Sequence, residues 1–251
     1  ITRPVAGAYL KGGLTEVEVE VTDRSTTMLE VNGVIGFDPV CAGQDGVSLA
    51  CHFTLTIPLI GDGVIDATAV DAAGNVGHAQ ASTILDSTPP SIVVISPRPL
   101  LVTNVASLDV SGVVTDTSPV TLTVNGEAVA TDADGAFGAT IPAGGEGPRD
   151  IVFVATDAAG NQATSTVVII VDRTPPVLTI ASPLQGAIIP TSSVSVSGTV
   201  TDATSVVVTV QGSAASVTGM AYSASLSGLS EGALTLTVRA GTTLGELNAV
   251  T

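Results

Sequence analysis

The stretch VTDTSPVTLTVNG (residues 114–126) decides the fold, because the chain writes it three times. VTDATSVVVTVQG (200–212) restates it 86 residues later, and VTDRSTTMLEVNG (21–33) precedes it by 93. Inside it Val120, Leu122 and Val124 alternate with threonines, the period-two pattern of a half-buried strand. Asn125-Gly126 follows at once and predicts a two-residue hairpin turn, since both residues tolerate positive φ.

Other markers keep the same interval. DAAGN occurs at 71–75 and 157–161, D-x-TPP at 86–90 and 172–176, and Ser-Pro at 96–97 and 182–183, with Pro4 where a third Ser-Pro would fall. Markers recurring in one order mean tandem units, here of about 86 residues. The expected division is 1–88, 89–174 and 175–251. The first copy then opens inside its first strand and the third closes inside its last, as expected either of a window on a longer array or of sheets that neighbouring subunits complete.

Each unit reads as all-β. In the middle copy the segments 92–96, 107–114, 120–124, 127–131, 136–141, 150–156 and 165–171 alternate or run apolar, separated by Gly, Pro, Asn and Asp. Seven short strands of this kind fit a two-sheet sandwich whose inner faces bury alternate side chains. Phe53, Phe137 and Tyr222 fall at equivalent positions on the fifth strand and Phe153 faces inward on the sixth, leaving Tyr9 and Phe37 without a core role.

Composition narrows the function. Six aromatics, no Trp and 45% hydrophobic residues describe a core of Val, Ile, Leu and Ala. Seven Lys and Arg against 23 Asp and Glu give a net charge of -16, which excludes the clustered cations that phosphate neutralisation needs. Nucleic acid is therefore not a partner, and anionic membrane surfaces are disfavoured. No apolar run reaches the ~20 residues that span a bilayer. The 15 Asp outnumber the 8 Glu, a bias toward turns and metal loops.

Taken together, VTD-x-S, VNG, ATDAAGN and D-x-TPP-x-I-x-I-x-SP resemble the bacterial immunoglobulin-like repeats of cell-surface adhesins and secreted multidomain proteins, over essentially the whole chain. The resemblance implies tandem immunoglobulin-like β-sandwich domains of about seven strands, in an extracellular array that spaces, displays or adheres. It also implies calcium at inter-domain junctions. The third copy departs from the pattern, reading AGTTL (240–244) where DAAGN is expected.

The acidic turns are the candidate chemistry. In a seven-strand sandwich the loops after the second and sixth strands meet at one pole, which brings Asp116 to Asp157 and Asn161, and the incoming linker delivers Asp86. Three carboxylates and an amide oxygen suit Ca²⁺, which takes six to eight oxygens. The next junction offers only Asp172 and Asp202, with Arg173 placed to stand in for a cation through a salt bridge. Asp23, Asp71 and Asn75 form the same pole in the first unit. The competing reading is turn chemistry alone, since Asp and Asn cap tight turns through their own backbone.

Other signatures fail on their spacing. DADG (132–135) lacks EF-hand ligands at Ala130 and Ile141, and GLSEG (228–232) sits in a strand-to-strand turn of a unit without His. Cys41 and Cys51 enclose nine residues within an insertion special to the first unit and predict a local disulfide. His52, adjacent to Cys51, points to the opposite strand face and, like His78, reads as a surface residue. The disulfide-bearing insertion reads as decoration against proteolysis or as a contact loop, with Phe37 on its approach.

Three functions compete. The first is a non-catalytic spacer or fibre segment at the cell surface, with neighbouring domains or subunits of the same protein as partners; strands of nine residues plus a linker give ~40 Å per unit. The second is an accessory module that binds carbohydrate or protein for a larger secreted enzyme, although glycan platforms usually need exposed aromatic faces. The third, an enzyme, has no acid-base pair, nucleophile system or cofactor loop to support it, and no cofactor is expected apart from Ca²⁺.

Overall fold

The computed structural model describes residues 1–24, 28–36, 39–44, 48–59, 63–242 and 247–250. All regular structure among them is β-strand, so none of the described residues forms a helix able to cross a membrane. Phe37 lies outside the described residues.

The first run of strands is β1 (Tyr9–Leu10), β2 (Gly13–Asp23), β3 (Met28–Val31), β4 (Val34–Gly36), β5 (Val40–Gln44), β6 (Ser48–Leu59), β7 (Val64–Val70), β8 (Val76–Ser82) and β9 (Ile84–Leu85). They form sheets ordered β2-β6-β5 and β4-β3-β7-β8, with β1 and β9 as a separate parallel pair. The second run is β10 (Ser91–Ser96), β11 (Leu101–Thr103), β12 (Ser107–Thr115), β13 (Val120–Val124), β14 (Glu127–Val129), β15 (Ala136–Pro142), β16 (Gly147–Asp157) and β17 (Gln162–Val171). Its sheets run β10-β12-β15 and β11-β17-β16-β13-β14. The third run is β18 (Val177–Ser182), β19 (Ser193–Thr201), β20 (Val206–Val210), β21 (Ser213–Ala214), β22 (Ser216–Thr218), β23 (Ala221–Ser227), β24 (Val238–Thr242) and β25 (Leu247–Val250), in sheets β18-β19-β23-β22 and β21-β20-β24-β25. The protein is a tandem of immunoglobulin-like β-sandwiches. Arg3-Pro4, Ser96-Pro97 and Ser182-Pro183 all take the cis form, at matching places in the three runs.

By spatial proximity the chain divides into two compact units. One comprises Ile1–Ile95, Ser111–Gly138 and Val152–Ser165. Its β6 shows the patterning at work: Cys51, Phe53, Leu55, Ile57 and Leu59 are buried, while His52, Thr54, Thr56 and Pro58 between them face out. Opposite, β2 buries Val17 and Val19 and turns Glu16 and Glu20 to water. Each fully buried side chain of this size stabilises the fold by about 1.5–3 kcal/mol relative to exposure, and together they form one apolar cluster with Leu29, Val31 and Ile65. Cys41 stands opposite Cys51 across β5 and β6, and the two are bonded as the spacing predicts. Further along this unit the rings of Phe137 and Phe153 pack at 5.8 Å. Gly112 admits Phe137, because a Cβ there would collide with the Val93 carbonyl and come within 2.6 Å of the ring. The Asn125-Gly126 turn has φ of 51° and 87°, as the hairpin requires, and Asn125 Oδ1 accepts the Val152 amide at 2.9 Å.

The other unit comprises Ser96–Val110, Ala139–Ile151 and Thr166–Thr251. Its cluster gathers Leu178, Val196, Val200, Val208, Val210, Tyr222, Val238 and Ala240. Tyr222 lies over Gly198 and donates its hydroxyl to the Thr179 carbonyl at 2.9 Å, keeping the one polar atom of a buried ring satisfied. The strand β11 was not expected from the sequence; it pairs in parallel with β17, Leu101 opposite Ile169 and Thr103 opposite Val171. A three-residue apolar run beside a proline has too little length to announce a strand by periodicity.

Candidate functional site

The acidic pole of the middle sandwich is built from three turns. In the first, Asp157 ends β16 and its Oδ1 accepts the Asn161 amide at 2.7 Å, while Oδ2 accepts Asn161 Nδ2 at 2.7 Å. Gly160 makes the reversal with a φ of 86°. In the second, Asp116 follows β12 and its Oδ1 accepts the Ser118 amide at 2.8 Å and hydroxyl at 3.0 Å. In the third, Asp86 follows β9 and its Oδ1 accepts the Thr88 amide at 3.1 Å. The turns at Asp116 and Asp86 pin Oδ1 and so set the direction of Oδ2, whereas the Asp157 turn engages both of its carboxylate oxygens.

The three turns converge. One carboxylate oxygen from each of Asp86, Asp116 and Asp157 lies within 4.8 Å of the others. Asn161 completes the group, donating its second Nδ2 hydrogen to the Asp86 carbonyl at 2.8 Å. With both amide hydrogens spent, Asn161 Oδ1 is buried without a hydrogen-bond partner among the described residues, and so is Asp86 Oδ2. Asn161 is 1% exposed, Asp157 6% and Asp86 7%. No salt bridge reaches any of the three carboxylates among the described residues. Burial pushes the Asp157 carboxyl up, but hydrogen bonds from the Asn161 side chain and the amides of Asn161, Ala159 and Gly160 outweigh it and hold the group below its usual range. The arrangement is a set of hard oxygen donors, some lacking any partner among the described residues, with negative charge that no described cation pairs with. That donor set fits Ca²⁺: two oxygens on one ion with Ca–O of 2.3–2.6 Å are at most about 5 Å apart, which the 4.8 Å spread satisfies. The residues that would hold it are Asp86, Asp116, Asp157 and Asn161.

The same DAAGN loop in the first sandwich makes the same bonds without the burial. Asp71 accepts the amides of Ala73 and Asn75 and the Asn75 side chain, which holds its carboxyl below the usual range, yet Asn75 is exposed. What differs is the segment carrying Asp86, whose carbonyl engages Asn161 and closes the second copy of the loop.

At the second junction Asp172 repeats the first-junction linker turn. It is 3% exposed, its Oδ1 accepts the Thr174 amide at 3.3 Å, and its Oδ2 has no hydrogen-bond partner among the described residues. Asp202 accepts the Thr204 amide and hydroxyl at 2.8 Å, and both aspartates line one cleft with Glu146 and Thr174. The third loop is different. Val206 pairs with Thr242 just as Val120 pairs with Asp157, so a hydroxyl stands where the middle sandwich has a carboxylate. The sequence reads AGTTL (240–244) where DAAGN is expected, but strand register makes Thr242 the counterpart of Asp157, and 243–246 lie outside the described residues.

Arg173 does not replace a cation beside Asp172. Its guanidinium donates to the carbonyls of Asn104 at 3.2 Å, Val105 at 2.7 Å and Gly144 at 3.0 Å, and its amide to both Glu146 oxygens. Three carbonyls at one edge match the guanidinium fork better than a single carboxylate already held by its own turn. The other signatures resolve into turns: Asp132 Oδ1 accepts the amides of Asp134 and Ala136, and GLSEG (228–232) forms irregular chain with no helix behind it. His52 and His78 are exposed.

A family model described as glucodextranase, domain B, matches residues 90–173 and again 176–251. No curated protein matches the chain. Among solved structures, the chain is similar to fibronectin(III)-like modules of Clostridium thermocellum CbhA, at 17% identity over 67% of this chain and 91% of that one with a TM-score of 0.42. It is also similar to a three-immunoglobulin fragment of titin, at 12% identity over 98% and 93% with a TM-score of 0.43. A Bacteroides ovatus protein, SGBP-B, solved with a mixed-linkage heptasaccharide, shares 14% identity over 98% and 63% with a TM-score of 0.25.

Proposed function

This chain belongs to the glucodextranase domain B family, and from that premise we propose that it is a non-catalytic, extracellular run of three immunoglobulin-like modules, 1–88, 89–174 and 175–251, serving as a cation-stiffened spacer. Stiffening rests on Ca²⁺ held by Asp86 of the linker together with Asp116, Asp157 and Asn161 of the next module. The observation that carries this reading is the pair of buried, partnerless oxygens, Asp86 Oδ2 and Asn161 Oδ1, set among three carboxylates. Turn chemistry accounts for Oδ1 of each aspartate and leaves those two atoms unexplained. Burying such an oxygen without a partner costs about 1–3 kcal/mol, so a ligand for both stabilises the fold. The Asp172–Asp202 junction, with Thr242 in place of the third carboxylate, holds a cation more weakly. The resemblance to bacterial immunoglobulin-like repeats supports an array of this kind, in which copies join end to end as a fibre.

One experiment tests the reading. Calorimetric titration of the chain with Ca²⁺ alone, paired with melting and solution scattering in Ca²⁺ and in chelator, is expected to give saturable binding, a higher melting temperature and reduced segmental flexibility. Identical melts and profiles in the two buffers would remove the calcium.

A second reading is favoured by the family's own description, a domain of an enzyme: an accessory module of a larger secreted enzyme that binds carbohydrate or protein. A glycan array separates the two, since saturable binding to a defined glycan belongs only to the second.

A further inference from the structure

Asp86 belongs to two structures at once. Its backbone N–H donates to the Leu10 carbonyl at 2.8 Å, and with Ile84 N–H to Ala8 at 2.8 Å and Gly7 N–H to Ser82 at 2.8 Å it ties the ends of the first sandwich together through the β1–β9 ladder. That ladder is two residues long and stands outside both sheets of its sandwich, with the half-buried Leu10 packed against the core. The Asp86 side chain and carbonyl, in contrast, engage the middle sandwich, through Asn161 and the carboxylates of Asp116 and Asp157. The placement recurs one junction on, where Asp172 N–H donates to the Thr103 carbonyl at 2.9 Å at the end of the parallel β11–β17 pair while Asp172 Oδ2 is left without a partner.

Resting on the cation reading above, we infer that a divalent cation at Asp86, Asp116 and Asp157 is a latch on the terminal strand pair of the first sandwich. Peeling β9 from β1 pulls Asp86 away from Leu10, and with the ion in place that movement also withdraws a ligand from it. Cation binding in one sandwich thereby holds shut a two-residue ladder of its neighbour, and a load applied along the chain meets the bound ion before it separates β9 from β1.

Residue-resolved hydrogen exchange on the full chain, in Ca²⁺ and in chelator, tests this with calorimetry run alongside. Openings that expel the ion become rarer by about 100-fold at a cation concentration 100 times the dissociation constant, so exchange at the Ile84 and Gly7 amides is expected to slow by up to that factor. Asp116→Asn, which replaces no residue of the first sandwich, should remove most of the difference between the Ca²⁺ and chelator rates at those amides. Binding by calorimetry with Ile84 and Gly7 unchanged, and protection confined to 116–118 and 157–161, overturns the latch and leaves the site standing. No binding by calorimetry overturns the site and the latch together.

Discussion

Replacing Asp116 by Asn separates a metal centre from a cluster of turns, because the two accounts give opposite signs. The Asn keeps an Oδ1 for the Ser118 amide and hydroxyl, so the turn survives. What changes is charge. Three carboxylate oxygens within 4.8 Å make three repulsive pairs, and losing Asp116 removes two of them. At that distance each pair is worth about 0.9 kcal/mol at the dielectric of water and about 3.5 kcal/mol at an effective value of 20. Asp116 is only half-buried, so screening draws its pairs toward the lower figure, and relief of about 1–3 kcal/mol is expected. In chelator the variant should therefore melt several degrees above the parent. In Ca²⁺ at 100 times the dissociation constant the parent gains about 2.7 kcal/mol by mass action and the variant, short of a ligand, gains much less. The variant's lead over the parent in chelator therefore shrinks or reverses in Ca²⁺. Differential scanning calorimetry in both reads it directly. A variant less stable than the parent in chelator, with an unaltered response to Ca²⁺, would refute the reasoning and return the aspartates to turn chemistry.

Three further outcomes follow from the packing and the titration. Gly198→Ala puts a Cβ onto the Thr179 carbonyl and 2.7 Å from the Tyr222 hydroxyl, so the third sandwich should lose about 1–3 kcal/mol or more in chemical denaturation while the first does not move. Reducing Cys41–Cys51, ten residues apart, should cost the first sandwich about 2–3 kcal/mol by the chain-entropy model; a melt insensitive to reductant contradicts it. Asp71 has its carboxyl held below the ordinary 3.8, chiefly by the Asn75 side chain, so its contribution is full above that value and is lost as pH falls through the lower, folded one. The first sandwich should accordingly weaken below about pH 3.8, and Asp71→Ala should flatten that part of the profile, as read by unfolding midpoints between pH 5 and 2.

Much of the site was legible before any coordinates, and the reason is local. A D-x-S/T or D-x-x-G-N segment forms the same turn wherever it stands, because its hydrogen bonds close within four residues, as Asp71–Asn75 and Asp157–Asn161 show. Strand periodicity then fixes which loops share a pole. The direction of Arg173 is not legible locally for the complementary reason: its partners at Asn104, Val105 and Gly144 come from distant loops whose carbonyls only the packed chain assembles.

The amino-acid sequence by itself determined the tandem of sandwiches, the hairpin turns and the identity of the acidic residues, since each depends on spacing over a few positions. Tertiary structure alone decided that Asn161 is buried and Asn75 is not, that Thr242 takes the place of Asp157 in the third sandwich, and that Asp86 joins a strand ladder to a ring of carboxylates. Those properties depend on which remote segment lies across a turn, and burial, unlike a turn, is conferred by a neighbour.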